Sequence, residues 1–386
     1  MNPFSIIIAG DYCMHHRMQR FSSKQIVSSL DSIPHILHSC NYSIVNLECC
    51  ISDKSLMPIK KCGKNLQNSS ESIQALKSLG FCGVTLANNH FADFGTEGVR
   101  ESLSIISRFG LDFFGAGIDL QSASEVKYIS VNNNRIAIIS CCEHEFTIAK
   151  KNKGGSNPLD LILLYKSITE AKKNSDYIIV IVHGGSEYYN LPTPRMQQVY
   201  RHLIDLGADS IVNHHQHCYS GFEYYKSRPI VYGLGNFCFD WEGRKSSSWN
   251  EGYMVKLTFE DSGISISTIP YMQCDDKLGI QLIQDRNEFD EKLSELNNII
   301  ADEQKLEKKY HDFVQQRIDE YLSLFELPQN KLLRRLSKKN MLPKPLREEL
   351  LPIFLTEDRV INLLSYFQCE AHRDLMISIL NEYIKK

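Results

Sequence analysis

The sequence predicts an α/β fold followed by a helical C-terminal region. From residue 4 to about 270, short apolar β-type runs alternate with helix-type stretches. From about residue 285 the texture changes to long helical segments rich in Glu, Lys and Leu, broken at Pro328, Pro343, Pro345 and Pro352. At 386 residues and 42% hydrophobic content, the chain can fill one large core or two of ordinary size. The expected organisation is a domain over 1–285 and a helical region over 286–386, with no internal repeat.

Taken in order, "FSIIIAG", "YSIVNLE", "CGVTLAN", "LDFFGAG", "RIAIISC", "YIIVIVHGG", "DSIVNHH" and "RPIVYGLGN" read as strands that stop at Gly, Asn or a charge. In "PRMQQVYRHLIDLG", Met196, Val199, Tyr200, Leu203 and Ile204 keep the spacing of one helical face, and Gly207 closes the helix. "GYMVKLTF" and "GISISTIPY" add a late antiparallel hairpin. The opening "MNPFSIIIAGDYC" has no basic leader, and its apolar run is too short for a signal segment or a membrane span. A formal net charge of -3 gives no global reason to expect nucleic acid or membrane as the main partner, and no basic groove with interleaved aromatics is visible. The 12 cysteines show no repeated CxxC spacing, so they are read as reduced, structural thiols of a cytoplasmic protein.

Ligands of α/β sheets collect at strand ends, and five strand ends here carry metal-type donors. They are Asp11 in "IIIAGDYC", Glu48 in "SIVNLECC", Asn89 and His90 in "TLANNHFADFG", His183 in "IVIVHGGSEY", and His215 with His217 in "VNHHQHC". One such residue alone is more often a cap or a turn residue. Together they form the inventory of a two-metal site: a carboxylate can bridge two cations, neutral imidazole suits Zn, Mn, Fe or Co, and an amide oxygen completes the set. Side chains alternate along an extended segment, so His215 and His217 share one face while His214 points away from the metal face and is expected in a structural or supporting role.

The stretches "GDYCMHHR", "VNLE", "LANNHFADFGTEGV", "FGAG", "VHGGSEY", "LGADSIVNHHQH" and "IVYGLGNFCFD" resemble, in the same order, those of the capsule and poly-γ-glutamate synthesis proteins of the CapA type. That family resembles the calcineurin-like metallophosphoesterases. The resemblance covers roughly residues 4 to 240. It implies a four-layer α/β/β/α sandwich with two divalent metal ions (Mn, Fe, Zn or Co) at the strand ends. It further implies that Asp11 and His217 bind the first metal, that Glu48 bridges, and that Asn89, His183 and His215 bind the second. His90 then faces the substrate as acid or transition-state stabiliser, with Asp93 orienting it.

Two departures stand out. Cys13 occupies the place where generic metallophosphoesterases have a histidine, and is either a soft ligand or a small buried residue. Asn213 and Gln216 stand in a turn where the family usually has Gly and Pro. Among smaller signals, Arg17 is a candidate for an anionic substrate group and Glu187 for an acid near the substrate, against ordinary turn roles. Asn236 and Asp240 match a family signature and can shape the rim through backbone hydrogen bonds. Residues 331–347 hold seven basic residues and no acid; they suit an anionic lipid surface or an acidic polymer, or else a solvated helix face. The function expected is that of a metal-dependent, phosphoesterase-like hydrolase in the biosynthesis of a capsule-like or poly-γ-glutamate polymer. Its partners would be an anionic polymer or phosphoester substrate and other polymer synthesis proteins. The alternative is a non-catalytic accessory subunit with a structural or vestigial metal site.

Overall fold

The computed structural model describes residues 3–322 and 357–384, with 332, 335, 336, 339 and 341 between them. Most of the basic stretch 331–347 lies outside the described residues. The chain lays down four parallel strands of a first sheet, builds a second sheet, and then returns to the first. The principal strands of the opening half-sheet are β1 (Phe4–Cys13), β2 (Tyr42–Leu47), β3 (Gly83–Thr85) and β4 (Asp112–Phe114). The second sheet comprises β5 (Lys127–Val131), β6 (Asn134–Cys142), β7 (Tyr177–His183), β8 (Ser210–His214), β9 (Phe222–Tyr225) and β10 (Arg228–Val231). The return consists of β11 (Asn236–Phe239), β12 (Glu251–Glu260), β13 (Gly263–Gln273) and β14 (Ile280–Leu282).

The first sheet has the order β14-β13-β12-β1-β2-β3-β4 with β11 also on β1, and the second β9-β10-β8-β7-β6-β5. One edge of β1 is shared between two neighbours. Phe4 to Ile8 pair antiparallel with β12, whereas Asp11 to Cys13 pair parallel with β11. The handover takes place at Gly10, where any Cβ would lie 1.9 Å from the Gly235 carbonyl oxygen. Only glycine admits that crossing, and it carries β1 past the Gly10 stop predicted from sequence.

Four layers follow from which side chains meet. Ile7, Ala9, Val45 and Val84 of the first sheet pack with Ile26, Ile73, Leu76, Val99 and Ile106. These belong to or flank α1 (Ser23–Ser29), α2 (Ile33–Leu37), α3 (Ser70–Leu79) and α4 (Gly95–Arg108). Phe4, Ile6, Ile8 and Ile44 on the opposite face share a core with Ile136, Ile138, Val180 and Val212 of the second sheet. That sheet is covered by Leu164 and Ile168 of α5 (Leu161–Asn174) and by Met196, Tyr200 and Leu203 of α6 (Pro194–Leu206). The expected α/β/β/α sandwich is therefore present. Helix α6 keeps its predicted bounds: the Thr193 hydroxyl accepts from the Met196 amide, Pro194 opens it and Gly207 closes it at φ 124°.

The later helices are α7 (Asn287–Ile300), α8 (Glu303–Leu322), α9 (Glu357–Gln368) and α10 (Glu370–Ile384). Phe289 and Leu293 of α7, Phe313 and Val314 of α8, and Leu375 and Ile379 of α10 belong to the same core as the second sheet. Among the described residues no helix is long and apolar enough to cross a membrane.

Candidate metal centre

Parallel strands end on one side of each sheet, which gathers their terminal residues above the sandwich. Asp11 is 1% exposed and pairs in register with Asn46 of β2 and Asn236 of β11, two amides set into apolar strands. Asn46 Nδ2 donates to Asp11 Oδ1 at 2.7 Å and lies 3.2 Å from His183 Nδ1. Asn236 Oδ1 lies 2.8 Å from His217 Nδ1, which leaves Nε2 as the free donor atom of that ring. Asn236 therefore orients a histidine as well as bonding the backbone carbonyls of His217 and Trp249. Both asparagines were legible in principle, because an amide inside an apolar strand needs a partner.

The histidine turn corrects one expectation. Strand β8 ends at His214, and His215 and His217 adopt φ of 96° and 55°, so the segment is not extended and strict alternation fails. His214 does not point away: its Nδ1 lies 3.3 Å from Asp11 Oδ1. His215 and His217 still converge, with ring centroids 6.1 Å apart, and the His215 ring lies 4.6 Å from that of His183. The two departures from the family turn hold it in place. Asn213 accepts from the Tyr200 hydroxyl and donates to the Gly184 and Tyr232 carbonyls, while Gln216 donates to the Tyr189 and Leu191 carbonyls.

Two donor groups result. Asp11, Glu48 and His217 offer ligand atoms within 4.8 Å of one another, and so do Glu48, His183 and His215. Glu48 belongs to both. Its carboxylate is 0% exposed and neither oxygen has a hydrogen-bond partner; His183 Nε2 and His217 Nε2 stand 3.6 and 3.8 Å from Oε1, beyond hydrogen-bond reach. Donors held roughly that far apart suit a cation bonded to each at about 2 Å. Asn89 Oδ1 lies 3.1 Å from His183 Nε2, so the amide reaches the second group. Burial, followed by the charge of Asp11, pushes the Glu48 carboxyl well above its usual range. Burial would raise Asp11 too, but the hydrogen bond and charge of His214, with His217, hold it below. Burial pushes His215 down to about 4 and His183 well below the usual range, so both rings are neutral near pH 7 with lone pairs available to a cation. The residues present fit a pair of divalent cations.

Beside the two groups, His90 Nδ1 lies 2.8 Å from Asp93 Oδ2 and 3.0 Å from Lys61 Nζ, and Lys61 closes on Asp93 Oδ1 at 2.5 Å. Burial, followed by the Lys61 charge, holds the His90 ring below its usual range. His90, Asn89, His215 and His217 line a cavity of about 430 Å³ with Lys61, Lys64 and Glu187. Its far wall comes from the C-terminal helices through Phe313, Arg317, Tyr321, Tyr366 and His372. Lys61 was not singled out in the sequence, because it sits in a loop without periodic pattern; the run "KKCGK" was the one available signal.

Arg17 is placed elsewhere than expected. Its guanidinium is committed to both oxygens of Asp240 and to the carbonyls of Cys274 and Asp275, so it faces a buried carboxylate instead of the cavity. Glu187 does line the cavity. Cys13 is buried in the apolar core of the first sheet, outside both donor groups, as a small core residue would be.

Several curated relatives match about half of the chain. The capsule biosynthesis protein CapA of Bacillus anthracis is 35% identical over 217 residues, 54% of this chain and 52% of its own length. The PGA biosynthesis protein CapA of Bacillus subtilis (strain 168) is 36% identical over 197 residues, 50% of this chain and 52% of its own. The chain thus spans about half the length of these relatives. Among solved structures, a 5'-nucleotidase precursor from Thermus thermophilus overlaps 70% of this chain and 54% of its own at 10% identity and a TM-score of 0.40. The family model described as bacterial capsule synthesis protein PGA_cap matches residues 5–241, the stretch that holds every donor of both groups, and the chain belongs to that family.

Proposed function

We propose that the chain is a metal-dependent hydrolase with a dinuclear centre, cleaving a phosphoester or a related ester or amide bond during biosynthesis of a capsule-like or poly-γ-glutamate polymer. The observation that carries this reading is Glu48, a fully buried carboxylate without a hydrogen bond, shared by two donor groups and set beside a His90–Asp93 pair. A purely structural site has no use for an acid at its edge. The relatives' names supply the polymer; the twelve free cysteines support a reducing, cytoplasmic setting.

Two divalent cations held by Asp11, Glu48, His217, His183, His215 and Asn89 would supply Lewis-acid polarisation of the scissile group and a water of lowered pKa. The chain's own residues do the rest. Asp93 accepts from His90 Nδ1 and fixes the ring; because burial and Lys61 keep the ring mostly neutral, Nε2 presents a lone pair and must first take up a proton before it can deliver one to the leaving oxygen or nitrogen. Lys61 neutralises Asp93 and places a positive charge beside an anionic substrate. Asn46 and Asn236 orient His183 and His217.

The test pairs metal content with turnover. Wild type is expected to bind about two Mn, Fe, Zn or Co ions at this centre, and His215→Ala/His217→Ala to lose them. His90→Asn should keep the metal and lower hydrolysis of phosphoester or polyglutamate substrates by about 10² to 10⁴. Cys13 lying outside the donor groups favours a second reading, an accessory subunit with a weakly held first cation. Unchanged polymer output in the His90→Asn variant, with metal retained, would select that reading.

A further inference from the structure

A second cluster of donors lies across the same cavity and shares no residue with the Glu48 centre. Cys369 immediately precedes α10 and His372 follows three positions later, so both side chains fall on one side of the first turn. They face Glu145, which sits in the loop after β6. One ligand atom from each of the three lies within 4.8 Å of the others. The Tyr321 hydroxyl is 2.7 Å from His372 Nδ1, which fixes the ring and leaves Nε2 for the cluster. Among the described residues no ion pair joins the Glu145 carboxylate to a lysine or arginine. Its neighbour Glu143, by contrast, is paired with Arg195.

We propose that Glu145, Cys369 and His372 form a third cation site, of the zinc type, which fastens the C-terminal helices to the α/β sandwich. Thiolate, imidazole and carboxylate together suit a borderline ion such as Zn and do not suit Mg or Ca, which take oxygen donors. Three side chains leave a fourth position, and Glu145 and His372 both line the cavity, so water or a group in the cavity can fill it. The place is already a docking point. Arg195 bridges Glu143 of the sandwich and Asp374 of α10, and His144 meets Glu370. A cation between Glu145 and the Cys369/His372 pair would add a bond across the same seam. Cys369 and His372 lie beyond residues 5–241 that the family model matches, whereas Glu145 lies within them, so the site joins the family's stretch to this chain's C-terminal helices. The inference does not depend on catalysis at the Glu48 centre.

The test uses the full chain, stripped of metal and titrated with Co(II). Wild type is expected to develop a near-ultraviolet thiolate-to-cobalt absorption and to bind one equivalent more than Cys369→Ser, which should lack that absorption. Glu145→Gln keeps the thiol and the charge pairs of the seam; it should retain the fold by circular dichroism and bind Co(II) at this site at least about tenfold more weakly. Cys13→Ser, Cys62→Ser and His215→Ala/His217→Ala should all keep the absorption. No thiolate absorption in wild type overturns the site, as does an absorption that survives Cys369→Ser. Loss of the band in the His215→Ala/His217→Ala variant overturns it too, by placing the thiolate at the Glu48 centre. Two equivalents lost in that variant with the band retained would leave both sites standing.

Discussion

At the scale of the residue, the centre depends on groups that the fold alone leaves unsatisfied. Glu48 has two oxygens without hydrogen bonds, and His215 has none at Nδ1. A buried carboxylate in that state costs free energy until a cation compensates it. Removing the charge should therefore have opposite effects with and without metal. Glu48→Gln is expected to raise the urea midpoint of metal-stripped protein, by an amount equivalent to about 1–3 kcal/mol, and to abolish the stabilisation that wild type gains on adding metal. A stripped variant less stable than stripped wild type would mean that Glu48 is satisfied by the protein itself. The donors were legible in the sequence because each sits where an apolar run stops, and the strand ends bring them together. His214 was misplaced because alternation holds only while the chain stays extended, and β8 ends at that residue. Lys61 was illegible because its partners, His90 and Asp93, lie 29 and 32 positions on and no period links them.

At the scale of the element, Arg17 acts as a strap between three segments. It follows β1, bonds Asp240 just after β11, and reaches the carbonyls of Cys274 and Asp275 just after β13. Burial would raise the Asp240 carboxyl, but the bonds and charge of Arg17 hold it below its usual range. A depressed carboxyl contributes stability that is present above its unfolded pKa of 3.8 and is lost as pH falls through the lower folded value. Arg17→Ala should therefore cost about 1–3 kcal/mol at neutral pH, since it strands a buried charge, while Asp240→Asn should flatten the acid limb of the stability profile below about pH 4. Urea melts from pH 2.5 to 7 read both effects. A large rise in KM without loss of stability in Arg17→Ala would return this residue to the substrate site. Strands and α6 were readable from period and punctuation. The path of β11 was not, because its return to the first sheet beside β1 is a long-range pairing that no local pattern encodes.

At the scale of the molecule, the change in texture near residue 285 reads as a boundary, yet the side chains beyond it share the sandwich's core. Phe313 of α8 stacks on Tyr189 at 4.3 Å, and Leu375 and Ile379 of α10 join the same cluster as β6, β7 and β8. Composition reports how a segment is built and does not report what it packs against, so the change of texture was legible and the burial across it was not. The same helices wall the cavity opposite His90, which couples their stability to the shape of the site. Both tryptophans, Trp241 and Trp249, lie on the sandwich side of that cavity, so their fluorescence follows the sandwich, while far-ultraviolet circular dichroism is weighted toward helix. If the core is continuous, the two signals share one urea midpoint in wild type. Phe313→Ala should then move them together, by roughly 3–5 kcal/mol for a buried Phe truncated to Ala. If residues 286–386 fold as a unit of their own, the circular dichroism midpoint falls while the tryptophan midpoint stays where it was. Only the joint shift is compatible with a cavity whose two walls are held by one core.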